Sequence, residues 1–205
     1  MAKRGLFITF EGTEGSGKTT QAELLQQWLA DRNPVVVREP GGTELGEQIR
    51  EVLLYRGLEI DPEAEMYLFM ASRRQLIAEV IAPALASGQI VIADRYHDST
   101  LAYQGGARGV PATWPPTFPR PNITFLLEGP VESGLGRHED AGKAKDRMEL
   151  ESIEFHEKVA EAYGRLADAE PERFVRLDAT GSRDKIHLEV RDRLKPLLDG
   201  TETTG

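Results

Sequence analysis

The sequence predicts an α/β fold in which one five-stranded parallel sheet is flanked by helices, and three observations carry that expectation. Five short apolar runs rich in β-branched or aromatic residues recur along the chain: LFITF (6–10), VVV (35–37), IVIA (90–93), ITFLL (123–127) and FVRL (174–177). Longer segments with helical periodicity separate them, and parallel neighbours need such crossovers. Three of the runs end in polar, motif-like residues, where strands of an open parallel sheet present ligand-binding loops. With 205 residues and 40% hydrophobic content, the chain supports one core, expected as a single domain over 1–200 with a frayed tail at 201–205.

LFITF follows a basic start, MAKRG, but a run of five residues that leads straight into a glycine-rich loop reads as a first strand and not as a signal peptide. A helix is expected over Thr19–Asp31. The second strand, VVV, leads into REPGGT (38–43), and helices are expected next over Glu44–Leu54 and Pro62–Ala86. The third strand ends in DRYHDSTLAYQGGARG (94–109). Residues 110–121, VPATWPPTFPRP, carry five of the twelve prolines and form an ordered but non-helical connection. Beyond the fourth strand, RHEDAGKAKDR (137–147) is charged around Gly142 and reads as a mobile loop. Helices over Ser152–Ala169 and Arg183–Leu198 bracket the last strand, and no internal repeat is present.

Lys and Arg number 25 against 34 Asp and Glu, and a net charge of −9 repels a polyphosphate backbone, which excludes a broad nucleic-acid surface. The absence of cysteine excludes disulfides and thiolate metal sites, and the four histidines have no ligand spacing. No apolar stretch approaches the roughly 20 residues that span a bilayer, so a cytoplasmic protein without a membrane partner is expected.

The chemistry starts at GTEGSGKTT (12–20), a G-x-x-x-x-G-K-[ST] loop that follows a strand and opens a helix. Gly12 and Gly17 let the backbone approach phosphates along Thr13, Glu14, Gly15 and Ser16. Lys18 reaches the β- and γ-phosphates, and the Thr19 hydroxyl, followed by Thr20, ligates Mg²⁺. A nucleoside triphosphate site follows. The guanine-reading N-K-x-D string is absent, and the D-x-x-G match at 178–181 falls after the last strand.

Two further strand ends carry arginines, as a second phosphate-bearing molecule requires. Asp94 can organise Mg²⁺ or its waters, and Arg95 can bridge donor and acceptor phosphates. Ser99, Thr100, Tyr103 and Gln104 offer polar groups to a base edge, although a helix cap with an exposed polar face uses the same residues. Phe69 and Arg73, at i and i+4, share a helix face that either grips a base or packs into the core.

FEGTEGSGKTTQ, REPGGT, AEMYLFMASRRQ (64–75), DRYHDSTLAYQG and DRMELESIEFHEKV (146–159), in that order, resemble bacterial thymidylate kinase over about residues 7–179. The resemblance implies the architecture of the P-loop nucleoside monophosphate kinases, phosphoryl transfer from ATP with Mg²⁺ to dTMP, and a homodimer. It makes Phe69 the ring that stacks on thymine, Arg73 the donor to its exocyclic carbonyl, and Arg38, Arg50 and Arg95 the arginines around the monophosphate and the transferred group. Ser99, Thr100 and Gln104 then line the nucleoside pocket, Tyr103 lies where the sugar lacks a 2′-hydroxyl, and the Glu14 carboxylate faces the 3′-hydroxyl. Lys18, Asp94, Arg95 and Arg147 become the catalytic group. Relatives with glycine at the position of Gly15 supply positive charge from a lid, here about 137–147, whose candidates are Arg137, Lys143, Lys145 and Arg147; Arg147, in D-R-x-E, matches best. The proline-rich segment departs from the family pattern, and Glu128 stands where Asp is more familiar. The competing readings are a kinase for another nucleoside monophosphate or deoxynucleoside, and an ATP-binding module without turnover.

Overall fold

The computed structural model describes residues 5–140 and 145–199, with the side chains of 137–140 outside the description. Strands β1 (Phe7–Gly12), β2 (Val35–Arg38), β3 (Val91–Asp94), β4 (Ile123–Glu128) and β5 (Phe174–Asp178) pair in parallel in the order β2-β3-β1-β4-β5. Each expected strand is present. Because β1 is central, the glycine-rich loop at its carboxyl end sits mid-sheet, and the Phe10–Asp94 register sets the β3 motif beside it.

Alternation along β1 sends Ile8 and Phe10 to one face and Phe7 to the other. The first face packs, with Phe125 and Leu127 of β4, against Leu25 of α1 (Lys18–Trp28) and Val190 and Leu194 of α8 (Arg183–Asp199). On the opposite face, Phe7, Val91 and Ala93 meet Leu76 of α3 (Pro62–Leu76), Ile77 and Ile81 of its π-helical continuation, and Leu85 of α4 (Ala82–Ala86). Each fully buried aliphatic side chain of this kind contributes about 2 kcal/mol. Sequence chemistry sets the helix starts. The Thr43 hydroxyl accepts from Gly46 N at 3.0 Å to open α2 (Glu44–Leu54), Asp61 followed by Pro62 caps α3, and Ser152 caps α7 (Ile153–Ala169).

Two helices depart from expectation. Residues 97–107 form a short α5 (His97–Thr100) running into a π-helical segment, Leu101–Ala107, that packs on α7. The segment read as a loop from 137 is helical to Asp140, because α6 spans Val131–Asp140. Gly134 lowers that helix's propensity and is also why it fits: a Cβ there would lie 2.3 Å from the Glu14 carbonyl oxygen. Residues 141–144 lie outside the described residues. The proline-rich connection has no regular structure and is ordered, with Phe118 buried and Trp114 Nε1 donating to its carbonyl at 3.1 Å. No helix among the described residues is long and apolar enough to cross a membrane.

Candidate active site

A cleft of about 950 Å³ opens along the carboxyl edge of the sheet, within the size range of small-molecule sites. Glu14 to Thr20 line one end; Arg38, Glu39, Arg50, Phe69, Thr100, Tyr103 and Gln104 line the other, with Asp94, Arg95 and Ser99 also on its wall. Gly12 and Thr13 lie behind that wall and act through their carbonyls.

At the first end α1 starts from Gly17, which has φ 100° and offers no side-chain cap, so the helix's own N–H groups face the cleft. Gly15, at φ 65°, admits no side chain: a Cβ would stand 1.9 Å from the Gly134 carbonyl oxygen. Closely packed α6 therefore leaves room only for glycine at this position. Lys18 Nζ donates inward to Thr13 O at 2.6 Å and Ser16 Oγ at 3.3 Å. Burial and then the neighbouring Arg95 push its ammonium down to about 8, against the opposing pull of Glu14, Asp94 and Glu11, so it stays mostly charged at neutral pH.

Thr19 Oγ1 donates to Asp94 Oδ2 at 2.5 Å, so two oxygen ligands meet at the mouth of the loop. Among the described residues no cluster of three or more His, Cys, Asp or Glu could hold a metal. A hydroxyl and one carboxylate suit Mg²⁺, which takes few protein ligands and completes its shell with phosphates and waters.

Arg95 joins the two ends. Its backbone is left-handed, φ 71°, a conformation costing roughly 1–2 kcal/mol for a residue with a Cβ, and many contacts hold it there. Its amide donates to Phe10 O at 3.0 Å; Nη1 reaches Gly12 O at 3.0 Å, and Nη2 reaches Glu14 Oε1 at 2.7 Å and Tyr103 OH at 3.1 Å. Tyr103 OH donates to the same Glu14 oxygen at 3.0 Å. Burial alone would raise Glu14, but Arg95 and Lys18 hold its carboxyl down at about 2.

The second end is basic at its rim and polar at its floor. Arg50 Nη1 donates to Pro40 O at 2.9 Å, and Arg38 is half-exposed with a 3.7 Å approach to Glu47. Phe69 lines the cleft and belongs to none of the core clusters. Arg73 lies beneath, 2% exposed, donating from Nε to Glu39 Oε2 at 2.6 Å, from Nη1 to Thr100 Oγ1 at 2.7 Å and from Nη2 to Tyr96 O at 3.0 Å. Burial, opposed by Arg73, pushes Glu39 up to about 7.

Arg147 stands apart from the other expected catalytic residues. It is not on the cleft wall: Nε donates to Leu53 O at 2.8 Å, and Nη2 pairs with Glu65 Oε2 at 2.6 Å. Glu65 is fully buried and also accepts from Gln104 and Arg108, so a buried anion holds the guanidinium away from the loop. Asp146, Met148 and Glu149 line the cleft in its place. Arg137 and Lys143, the other expected lid charges, fall outside the described side chains; Lys145 is half-buried.

Sequence reading missed Glu11, Glu39, Glu65 and Tyr163. Glu11 sits at the carboxyl end of a strand immediately before the glycine loop, a position that signals it in retrospect; Tyr163 lies on the apolar face of a helix and reads as core.

A family model described as thymidylate kinase matches residues 10–190. Thymidylate kinase of Kosmotoga olearia is 42% identical over 195 residues, covering 90% of this chain and 93% of that protein. The thymidylate kinase of Leifsonia xyli is 44% identical over 199 residues, covering 93% and 94% respectively. A crystal structure of thymidylate kinase from Ehrlichia chaffeensis aligns with a TM-score of 0.73 at 31% identity, covering 94% of this chain and 99% of that one. The phosphate loop, the Asp94–Arg95 strand end and the polar pocket beyond them thus occur in a chain that belongs to the thymidylate kinase family.

Proposed function

We propose that the protein transfers the γ-phosphoryl group of ATP to dTMP, giving dTDP and ADP. One observation carries this reading: a single continuous cleft holds a phosphate loop with Lys18 at one end and a nucleoside-sized pocket with Phe69 at the other, with Arg95 between them. Transfer between two phosphates needs that arrangement, because catalysis is positioning and charge neutralisation more than covalent chemistry.

The backbone from Gly12 to Thr20 and Lys18 hold the donor. Thr19 and Asp94 would hold Mg²⁺, which when bound neutralises donor phosphate charge. Arg38 and Arg50 grip the acceptor phosphate at the rim, and Arg95 stabilises the equatorial oxygens in flight. Phe69 stacks on the base, and Arg73, fixed at the floor through Thr100 and Glu39, addresses its carbonyl edge. Tyr103, Ser99 and Gln104 close the sugar side. No general base is needed, since the attacking atom is an ionised phosphate oxygen.

The assay is direct. Purified protein with ATP, Mg²⁺ and dTMP should release ADP and form dTDP in equal amounts; ATP bound with neither ADP nor dTDP formed would leave an ATP-binding module without turnover instead. The protein acts as a homodimer, a reading supported by the exposed apolar side chains Leu45 and Val52 on α2 and Tyr67 on α3. Sedimentation equilibrium should give twice the 22.7 kDa chain mass, and a monomer at micromolar concentration would rule the dimer out.

A further inference from the structure

Glu11 is a carboxylate that the transfer chemistry leaves without a task. It lies in β1 immediately before Gly12, opposite Leu126 of β4, and is 0% exposed. Among the described residues it has no salt-bridge partner, so its burial rests on hydrogen bonds. Oε1 accepts from Tyr96 N at 2.8 Å; Oε2 accepts from Ser99 Oγ at 2.6 Å and from Tyr163 OH at 2.8 Å.

These donors surround Arg95. Tyr96 N belongs to the peptide that follows the left-handed residue, so Oε1 pins the backbone on its carboxyl side while Phe10 O pins it on the other. Ser99 Oγ and Tyr163 OH lie 2.8 Å apart, and Arg95 Nη1 approaches both, at 3.3 and 3.4 Å. An ionised carboxylate can only accept, so it draws the hydroxyl protons toward itself and leaves oxygen lone pairs facing the guanidinium.

We propose that Glu11 is a positioning residue for the transfer reaction: its carboxylate orients the Ser99 and Tyr163 hydroxyls and the Tyr96 amide so that Arg95 is held at the junction of donor and acceptor. This role rests on the phosphoryl-transfer reading above. Its charged and titratable neighbours are Asp98 on α5, Arg95, Lys18 on α1 and Tyr163 on α7. Burial, and then Asp98, push the carboxyl up to about 7, so the ionised form that this geometry needs is lost as pH falls through that value.

Glu11→Gln tests the role at nearly constant shape. Its amide oxygen can satisfy Tyr96 N, but its NH₂ must then donate to the two hydroxyls, whose protons swing toward Arg95. The expected result is a kcat lower by about tenfold with KM for dTMP within about twofold of wild type. In the wild type, kcat should fall as pH drops through about 7; in the variant only the phosphate ionisation near pH 6 should remain. A crystal structure of the variant should show Arg95 Nη1 withdrawn from Ser99 and Tyr163, a readout independent of which acceptor is used. A kcat within twofold of wild type, an unchanged acid limb, or Arg95 in its original place would each overturn the proposal. If Glu11→Gln does not fold, the Ser99→Ala, Tyr163→Phe double variant keeps the carboxylate and removes its relays. It should show the same tenfold loss, and wild-type kcat there would refute the role. A wild type that transfers nothing to dTMP counts against the functional reading; Arg95 unmoved in the variant crystal counts against Glu11.

Discussion

Arg95→Ala lowers kcat for dTMP phosphorylation by about a thousandfold, the scale seen when an arginine that neutralises a transferring phosphoryl group is removed. The expectation rests on placement. The guanidinium is fixed by Gly12 O at the phosphate loop and by Glu14 and Tyr103 toward the acceptor, so it spans the gap that the phosphoryl must cross. Arg38 and Arg50 stay at the rim in the variant, so dTMP should still bind with KM raised by no more than about tenfold. Steady-state kinetics with dTMP as the varied substrate separate the two parameters. A kcat near wild type would take Arg95 out of the mechanism and leave it a structural ion-pair partner of Glu14.

Glu14→Gln should cost about a hundredfold in kcat/KM for dTMP, roughly the 1.5–3 kcal/mol of a charged hydrogen bond. Oε1 already serves Arg95 and Tyr103, whereas Oε2 makes no hydrogen bond among the described residues and remains for the acceptor's sugar. With its carboxyl held down at about 2, Glu14 stays ionised at any working pH, so this loss should not vary between pH 6 and 9. The 3′-deoxy analogue of dTMP separates the two oxygens' tasks. It should lose less than dTMP does on substitution, because it has no 3′-hydroxyl to offer. Equal losses on both acceptors would confine Glu14 to holding Arg95.

Contiguous signals made the fold and half of the site legible. Five apolar runs gave five strands, and the loop from Gly12 to Thr20 could be read because its residues are adjacent and each glycine reports a backbone demand. Arg50 needed the resemblance, since periodicity makes it one more charge on α2. What stayed hidden was contact across sequence. Glu11 and Tyr163 are 152 positions apart, and nothing local in either segment signals their meeting. Glu65 likewise captures Arg147 only after α3 and the turn before α7 have packed, so an arginine with a lid-like motif context ends in a buried pair. Residues 97–107 admit a helix on local grounds, but that Ala102 and Tyr103 of it are buried against α7 shows only in the packing. Gly134 weakens the local signal of α6 in the same way, since low propensity is overridden where a close backbone approach requires glycine.

The central claim is that this cleft accepts a thymine nucleotide as phosphoryl acceptor, and one measurement addresses it most directly. Equimolar dTMP, dCMP and thymidine compete for limiting ATP with Mg²⁺, and the products are separated by chromatography. The account expects dTDP as the dominant product; faster formation of dCDP, or of dTMP from thymidine, would contradict it.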